Sequence, residues 1–96
     1  MPIAKKVVLV SGRKYDASHD ELLRELIERR IALFCVVGVD CERWEEAMDE
    51  LVVGPHGEYT WHVTTTSHPG ETLADVLEFA EMFHLDEPCE VEVIKV

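Results

Sequence analysis

The segment Leu33-Phe34-Cys35-Val36-Val37-Gly38-Val39 decides the fold. An unbroken apolar run rich in β-branched residues is typical of a strand that is buried on both faces of a parallel sheet. The segment from Lys5 to Val10 has the same character, because its last four residues are valine or leucine, and Ser11-Gly12 ends it. Parallel strands of this kind need helices on both sides, so the two segments predict an α/β domain.

Helical patterns follow both of these strands. Ser18 and Glu21 have the spacing of a capping box, which predicts that a first helix begins there. Asp40 lies where the N-cap of a second helix belongs, directly after the second strand. The apolar residues at helical spacing are Leu22, Leu23, Leu26, Ile27 and Ile31 in the first helix, and Trp44, Ala47, Met48, Leu51 and Val52 in the second.

The rest of the chain predicts a third helix between two further strands. Tyr59 to Thr66 alternate apolar and polar residues, which indicates a third strand, and Ser67 to Glu71 follow as a loop. Thr72 and Asp75 form a second capping box before a helix, and Cys89 to Val96 form the last strand. Its charged face is typical of an edge strand. The predicted inward residues of this strand are Cys89, Val91 and Val93, and the outward ones are Glu90 and Glu92.

These elements predict a single α/β domain over residues 1–96, with the order β-α-β-α-β-α-β, three layers and a four-stranded, mainly parallel sheet. Two strand orders fit this alternation. The order 3-2-1-4 is favoured, because it places the two fully apolar strands in the centre. The order 2-1-3-4 leaves the strand at residues 33–39 on an edge, where a second copy of the chain would have to cover it. That second order therefore predicts a homodimer.

Charge is distributed unevenly along the chain. The net charge is −11, and residues 40–96 contain fifteen acidic but only two basic residues, whereas residues 1–39 contain five acidic and seven basic ones. Nucleic acids and anionic membranes bind proteins through cations, so an acidic surface argues against both. The charge favours a basic protein as partner, although surplus acid also serves solubility alone in small domains.

The cysteines and the apolar runs predict a cytoplasmic protein. Cys35, Cys41 and Cys89 have no C-x-x-C spacing and no close histidine pair, which excludes a disulfide scaffold or a zinc ribbon as the expected class. The longest apolar run, residues 31–39, is far shorter than the roughly 20 residues that cross a bilayer. The first residues lack the apolar stretch of a signal peptide, so none is expected.

An acidic stripe on the second helix is the most specific functional signal. Like charges at this spacing cost a few tenths of a kcal/mol per pair, so a partner surface is one reason to keep them, and a solvated helix face is the alternative. The leading hypothesis is a protein–protein interaction module of inhibitor, immunity or adaptor type. The stripe has the spacing i, i+3, i+4 and i+7 and consists of Glu42, Glu45, Glu46 and Asp49.

The alternative hypothesis is a small enzyme or an anion- or nucleotide-binding domain, with its site at the carboxyl ends of the first three strands. Under this hypothesis Cys41 is a nucleophile at a helix start and His68 is its base. The ligand-binding residues would be Ser11, Gly12, Arg13 and Asp40. The chain has neither G-x-x-x-x-G-K-[ST] nor G-x-G-x-x-G, so no cofactor is predicted. Whether the protein is an enzyme stays undecided, with the balance against it.

The sequence contains residue types that bind metals but no complete metal-binding pattern. Glu81-x-x-His84 would place two ligands on one helix face, as in helical bundle sites, but no partner helix with a matching motif is present. The other ligand-type residues are His56, His62, His68 and Cys89. No metal site is predicted.

Overall fold

The computed structural model describes residues 5–53, 63–83 and 90–96, which form four strands and three α-helices and confirm the α/β prediction. A short 3₁₀ turn at Ala17–His19 leads into the first helix. Within these ranges no helix is long and apolar enough to cross a membrane. The strands are β1 (Lys6–Ser11), β2 (Leu33–Gly38), β3 (Thr64–His68) and β4 (Val91–Lys95), and the helices are α1 (Asp20–Glu28), α2 (Cys41–Val53) and α3 (Leu73–Met82).

All strand pairs are parallel, and the sheet order is β3-β2-β1-β4. The predicted order 3-2-1-4 is thus confirmed, and the order 2-1-3-4 is wrong. In the register, Cys35 of β2 pairs with Val8 of β1 on one side and with Thr66 of β3 on the other. Because β2 has a neighbour on both sides, it offers no edge to the homodimer that the other order predicted.

The sheet separates two apolar cores, as expected for three layers. On the side that we call the α1/α2 face, Leu26, Phe34 and Trp44 belong to one buried core. On the opposite side, the α3 face, Val76 and Ala80 pack over the central strands. The first two crossovers run in one direction along the sheet and the third returns past β2 and β1 to β4, so right-handed connections place α3 on the face opposite α1 and α2.

The two predicted capping boxes have different outcomes. Thr72 and Asp75 form theirs: the Asp75 N–H donates to the Thr72 hydroxyl at 3.2 Å, and the Thr72 N–H donates to the Asp75 carboxylate at 3.3 Å. The box predicted at Ser18 and Glu21 is wrong. The Ser18 N–H donates to the Asp16 carboxylate at 2.8 Å, which starts the 3₁₀ turn, and α1 begins later, at Asp20. Asp16, two residues before Ser18, therefore acts as the cap in place of Ser18.

β3 extends further than its sequence pattern indicates. Ser67 and His68 belong to the strand and not to a loop, because they continue the pairing with β2 as far as Val37. The strand is held here by its neighbour, since its own residues show no apolar alternation. At its start, Val63 is buried but precedes the strand, which begins at Thr64, and the predicted part at residues 59–62 lies outside the described residues.

In β4 the predicted inward and outward sides are wrong at two positions. Val93 is 38% exposed. Glu92 is half-buried on the side of α1, where its carboxylate accepts bonds from both terminal nitrogens of Arg29, at 2.8 and 3.3 Å. These bonds hold the pKa of Glu92 below its ordinary value. The Glu92 carboxylate points toward the domain because the Arg29 guanidinium binds it there. Cys89 and its predicted inward position lie outside the described residues.

Candidate functional site

The carboxyl ends of β2 and β3 frame a cleft. β2 continues into α2 on one face of the sheet, whereas β3 continues into α3 on the other. Neighbouring parallel strands whose connections diverge leave a crevice between them, and open α/β sheets bind ligands at such points. The cleft has a volume of about 280 Å³ and is lined by Gly38, Asp40, Cys41, Glu42, Pro69 and Gly70.

Two residues with positive φ turn the chain from β2 into α2 at this cleft. Gly38 has a φ of 105°, and a side chain there would collide with the main-chain oxygen of Ser11, so the position requires glycine. Asp40 has a φ of 58°, a conformation that aspartate tolerates better than most residues. Its main-chain oxygen accepts the N–H groups of Arg43 at 3.0 Å and Trp44 at 3.1 Å, which starts α2, whereas its carboxylate accepts the Tyr15 N–H instead of serving as the side-chain cap that the sequence predicts.

Carboxylates dominate the polar lining of the cleft. Asp40 and Glu42 are exposed, while the residue between them, Cys41, is 4% exposed. The Asp40 carboxylate accepts the main-chain N–H of Tyr15 at 3.0 Å, so the loop after β1 holds it at the rim. Two carboxylates repel a phosphate and favour a ligand with positive charge or several hydrogen-bond donors.

Tyr15 joins the loop after β1 to the start of α2. Its ring meets the ring of Trp44 edge-on at 5.3 Å, and the guanidinium of Arg43 lies 5.1 Å from its centre. Its hydroxyl donates to the Asp20 carboxylate. Burial, together with this bond, raises the pKa of Tyr15 to about 12. No sequence pattern marks this cluster, since its members come from three separate segments.

Of the residues predicted to bind an anion, Ser11 and Gly12 are engaged within the fold, whereas the side chain of Arg13 is exposed and stays a predicted anion contact. The Ser11 hydroxyl donates to the main-chain oxygen of Arg13 at 2.6 Å and accepts the Arg13 N–H at 3.4 Å. The Gly12 N–H donates to the main-chain oxygen of Val96 at 2.9 Å. A phosphate cradle needs main-chain N–H groups that point at the ligand. The geometry of residues 11–13 does not support such a cradle.

The structure does not bring Cys41 and His68 together as a nucleophile and its base. Cys41 packs in the core of the α1/α2 face, whereas the His68 ring lies on the α3 face, 5.0 Å from the ring of Phe79. The two ring nitrogens of His68 are bonded to the Thr66 hydroxyl and the Glu71 carboxylate, each at 2.8 Å. A general base needs a nitrogen within hydrogen-bond reach of the thiol. We therefore do not propose this dyad.

The predicted stripe (Glu42, Glu45, Glu46 and Asp49, called the α2 stripe from here on) lies along the side of α2 that borders β3. The Thr65 hydroxyl donates to the Asp49 carboxylate at 2.6 Å, which fixes this side of the helix next to the strand. At the other end of the stripe, Glu42 lines the cleft. Three of the four stripe residues are exposed, and Glu45 is half-buried. The stripe and the cleft thus form one acidic surface at the β3 side of the domain.

Arg43 offsets part of the repulsion along α2. Its Nη1 atom lies 3.4 Å from the Glu46 carboxylate and 3.5 Å from that of Glu50. The spacing of the acidic residues alone does not indicate these two ion pairs. They become predictable only when Arg43 is included, because it stands three residues before Glu46 and seven before Glu50. Exposed ion pairs of this kind contribute about 0–1 kcal/mol, so the surface stays strongly acidic.

For metal binding, the described residues include no group of three or more histidine, cysteine or acidic side chains that could hold an ion. His68 is engaged with Thr66 and Glu71. Four of the ligand-type residues named from the sequence, His56, His62, His84 and Cys89, lie outside the described residues.

Comparison with known proteins gives a family without an activity. No curated protein and no solved structure is significantly similar to this chain. A family model matches residues 1–94, and its description is "Domain of unknown function (DUF7684)". Because the match covers nearly all of the 96 residues, the chain belongs to the DUF7684 family.

Proposed function

We propose that this chain is a small acidic interaction domain that binds a basic protein through the α2 stripe, in the manner of an inhibitor, an immunity protein or an adaptor. The observation that carries the proposal is the position of the stripe. Its carboxylates lie on one exposed side of the domain, next to β3 and continuous with the acidic cleft. A partner that covers this side meets a single acidic surface.

The energetics support a partner more than a structural role. Adjacent carboxylates on a helix repel each other by a few tenths of a kcal/mol per pair, and Arg43 pairs with one stripe residue, Glu46, and with Glu50 outside the stripe. A basic surface would remove this repulsion on binding. The net charge of −11 would also steer a basic protein toward the domain and raise its association rate at low salt.

The test compares two neutralised variants in a capture experiment from the source cells. One variant carries Glu42→Gln, Glu46→Gln and Asp49→Asn in the α2 stripe. The control carries Glu21→Gln, Glu25→Gln and Glu28→Gln, which are exposed residues of α1 and change the net charge equally. We expect the wild type and the α1 variant to retain a basic protein that the stripe variant loses.

Two results would contradict the proposal. If no basic protein is retained more strongly by the wild type than by the stripe variant, or if both variants lose it alike, the stripe is not a binding surface. The isosteric changes keep the side-chain shapes, and the amide oxygen that Asp49→Asn introduces can still accept the Thr65 hydroxyl. Circular dichroism of both variants checks that the fold is intact.

A second candidate function is the binding of a small ligand in the cleft. The observation that favours it is the place of the cleft, at the point where the connections of β2 and β3 diverge. With Asp40 and Glu42 in its lining, we propose a ligand rich in donors or positive charge, such as an amine, and not the anion or nucleotide expected from the sequence.

An NMR screen of polyamines and other small amines against nucleotides tests this second function. Amines should shift the amide signals of Gly38, Cys41 and Gly70, all of which line the cleft. Nucleotides should leave these signals unchanged. The cleft is not a ligand site of this type if neither class moves the three signals, or if nucleotides move them and amines do not.

A further inference from the structure

We propose that the basic partner binds by adding an extended strand to the outer edge of β3. This inference rests on the proposed function, because it specifies the form in which the basic surface reaches the α2 stripe. It adds a main-chain mode of recognition and a side-chain pattern, neither of which follows from charge alone.

Main-chain groups at the outer side of β3 are placed for such a strand. Among the described residues, β3 is paired with β2 on one side and has no strand on the other. The Thr64 N–H donates to the main-chain oxygen of Ala32 at 2.9 Å, toward β2. Because successive residues of a strand direct their main-chain groups to opposite sides, Thr65 and Ser67 direct theirs outward. An edge of this kind accepts an extended peptide.

Side chains on the two faces of this edge specify the partner's sequence. On the α1/α2 face, the α2 stripe borders β3 through the contact between Thr65 and Asp49. On the α3 face, Phe79 lies against His68 at the end of β3 and is 38% exposed. Successive side chains of an added strand point to these two faces in turn. The complementary strand therefore alternates lysine or arginine with an apolar residue.

Charge also decides against a second copy of this chain as the occupant. Two copies that met edge to edge at β3 would bring two α2 stripes together, and like charges at an interface are repulsive. Carboxylates beside an open edge are a device by which proteins prevent self-pairing. A basic strand meets attraction at the same place, so the edge selects for a partner of opposite charge.

Synthetic peptides on the wild-type protein provide the test. The probe is a short peptide of alternating lysine and valine, and its binding is measured by fluorescence anisotropy at low salt. The first comparison peptide has the same sequence with every main-chain nitrogen methylated, so its charge is unchanged but neither of its edges can donate a hydrogen bond to a strand. The second has the same composition with its lysines and valines in separate blocks. We expect both comparison peptides to bind at least about tenfold more weakly.

A matched pair of variants locates the binding on β3. Ser67→Pro removes an outward N–H, a change that edge strands tolerate because the sheet does not use that group. Ser67→Ala keeps the N–H and removes only the hydroxyl. The alternating peptide should bind Ser67→Ala like the wild type and Ser67→Pro about tenfold more weakly. If the proline variant does not fold, the peptide comparison on the wild type still decides.

The outcomes separate this inference from the proposed function. Equal binding of the methylated and unmethylated peptides, or binding that Ser67→Pro leaves unchanged, overturns strand addition. If that binding is still lost in the variant with Glu42→Gln, Glu46→Gln and Asp49→Asn, charge recognition by the stripe stands without it. Failure of every peptide to bind the wild type also overturns strand addition, and the capture experiment then decides the proposed function independently.

Discussion

Gly38 and Gly70 stand on opposite sides of the cleft, and both have a positive φ, of 105° and 77°. Their surroundings differ: a Cβ at Gly38 would strike the main chain of Ser11, whereas a Cβ at Gly70 would meet open space. We expect Gly38→Ala to lower the free energy of unfolding by roughly 2–4 kcal/mol, from strain and collision together. Gly70→Ala should cost roughly 1 kcal/mol, from the backbone conformation alone.

Urea unfolding of the two alanine variants and the wild type measures this difference. Equal losses of stability would show that the turn between β2 and α2 can move away from Ser11, and that the cleft wall is softer than the structure indicates. The pair is a matched test because both substitutions add one methyl group at a positive φ.

Tyr15 gives a prediction in the alkaline range. Burial and the bond to Asp20 raise its pKa from 10.0 to about 12, so between these values the folded chain keeps a proton that the unfolded chain has lost. The contribution of Tyr15 to stability is therefore complete below pH 10 and declines as the pH rises to about 12. In a titration followed by tyrosinate absorbance, the wild type should show a component near 12 that Tyr15→Phe lacks. Identical titration curves would contradict the assignment.

Among the elements, β1 and α3 are joined by a buried lysine. Lys6 is 5% exposed, and its Nζ donates to the main-chain oxygen of Phe83 at 2.7 Å and faces that of Glu81 at 3.5 Å. A cation at a helix C-terminus satisfies carbonyls that the helix leaves unpaired and interacts favourably with the helix dipole. Lys6→Met leaves these carbonyls without their donor, so we expect the free energy of unfolding to fall by about 1–3 kcal/mol.

Lys5→Met is the control for this prediction, because Lys5 is the exposed neighbour in the chain and the substitution is the same. It should change stability by no more than about 0.5 kcal/mol. If the two variants lose equal stability in urea, the lysine does not serve as a cap for α3.

The elements also show how far the sequence determines the structure. β1 and β2 are predictable because their apolar runs leave no other place for them than the centre of a sheet. The end of β3 is not, because Ser67 and His68 become strand through pairing with β2 and have no pattern of their own. Likewise, Ser18 and Glu21 have the spacing of a capping box, but Asp16 takes the capping role.

The candidate site is predictable in its place and unpredictable in its chemistry. The sequence indicates the carboxyl ends of the strands and names Asp40 and Cys41, both of which line the cleft. It cannot show that His68 turns to the α3 face, because that depends on the register of β3. It also cannot show that the cleft opens between β2 and β3, which follows from the strand order and from the crossing of α3 to the other face.

At the scale of the whole molecule, strand order and charge together predict a monomer. The apolar strand β2, which could have formed a dimer at an edge, lies inside the sheet, and the net charge of −11 opposes contact between copies. Light scattering at about 50 mM and about 500 mM salt tests the effect of the strand order and that of the net charge, because added salt screens the repulsion and leaves apolar contacts in place. We expect the monomer mass at both salt concentrations. A dimer that appears only at high salt and disappears in Ser67→Pro would mean that repulsion alone keeps the β3 edges of two copies apart.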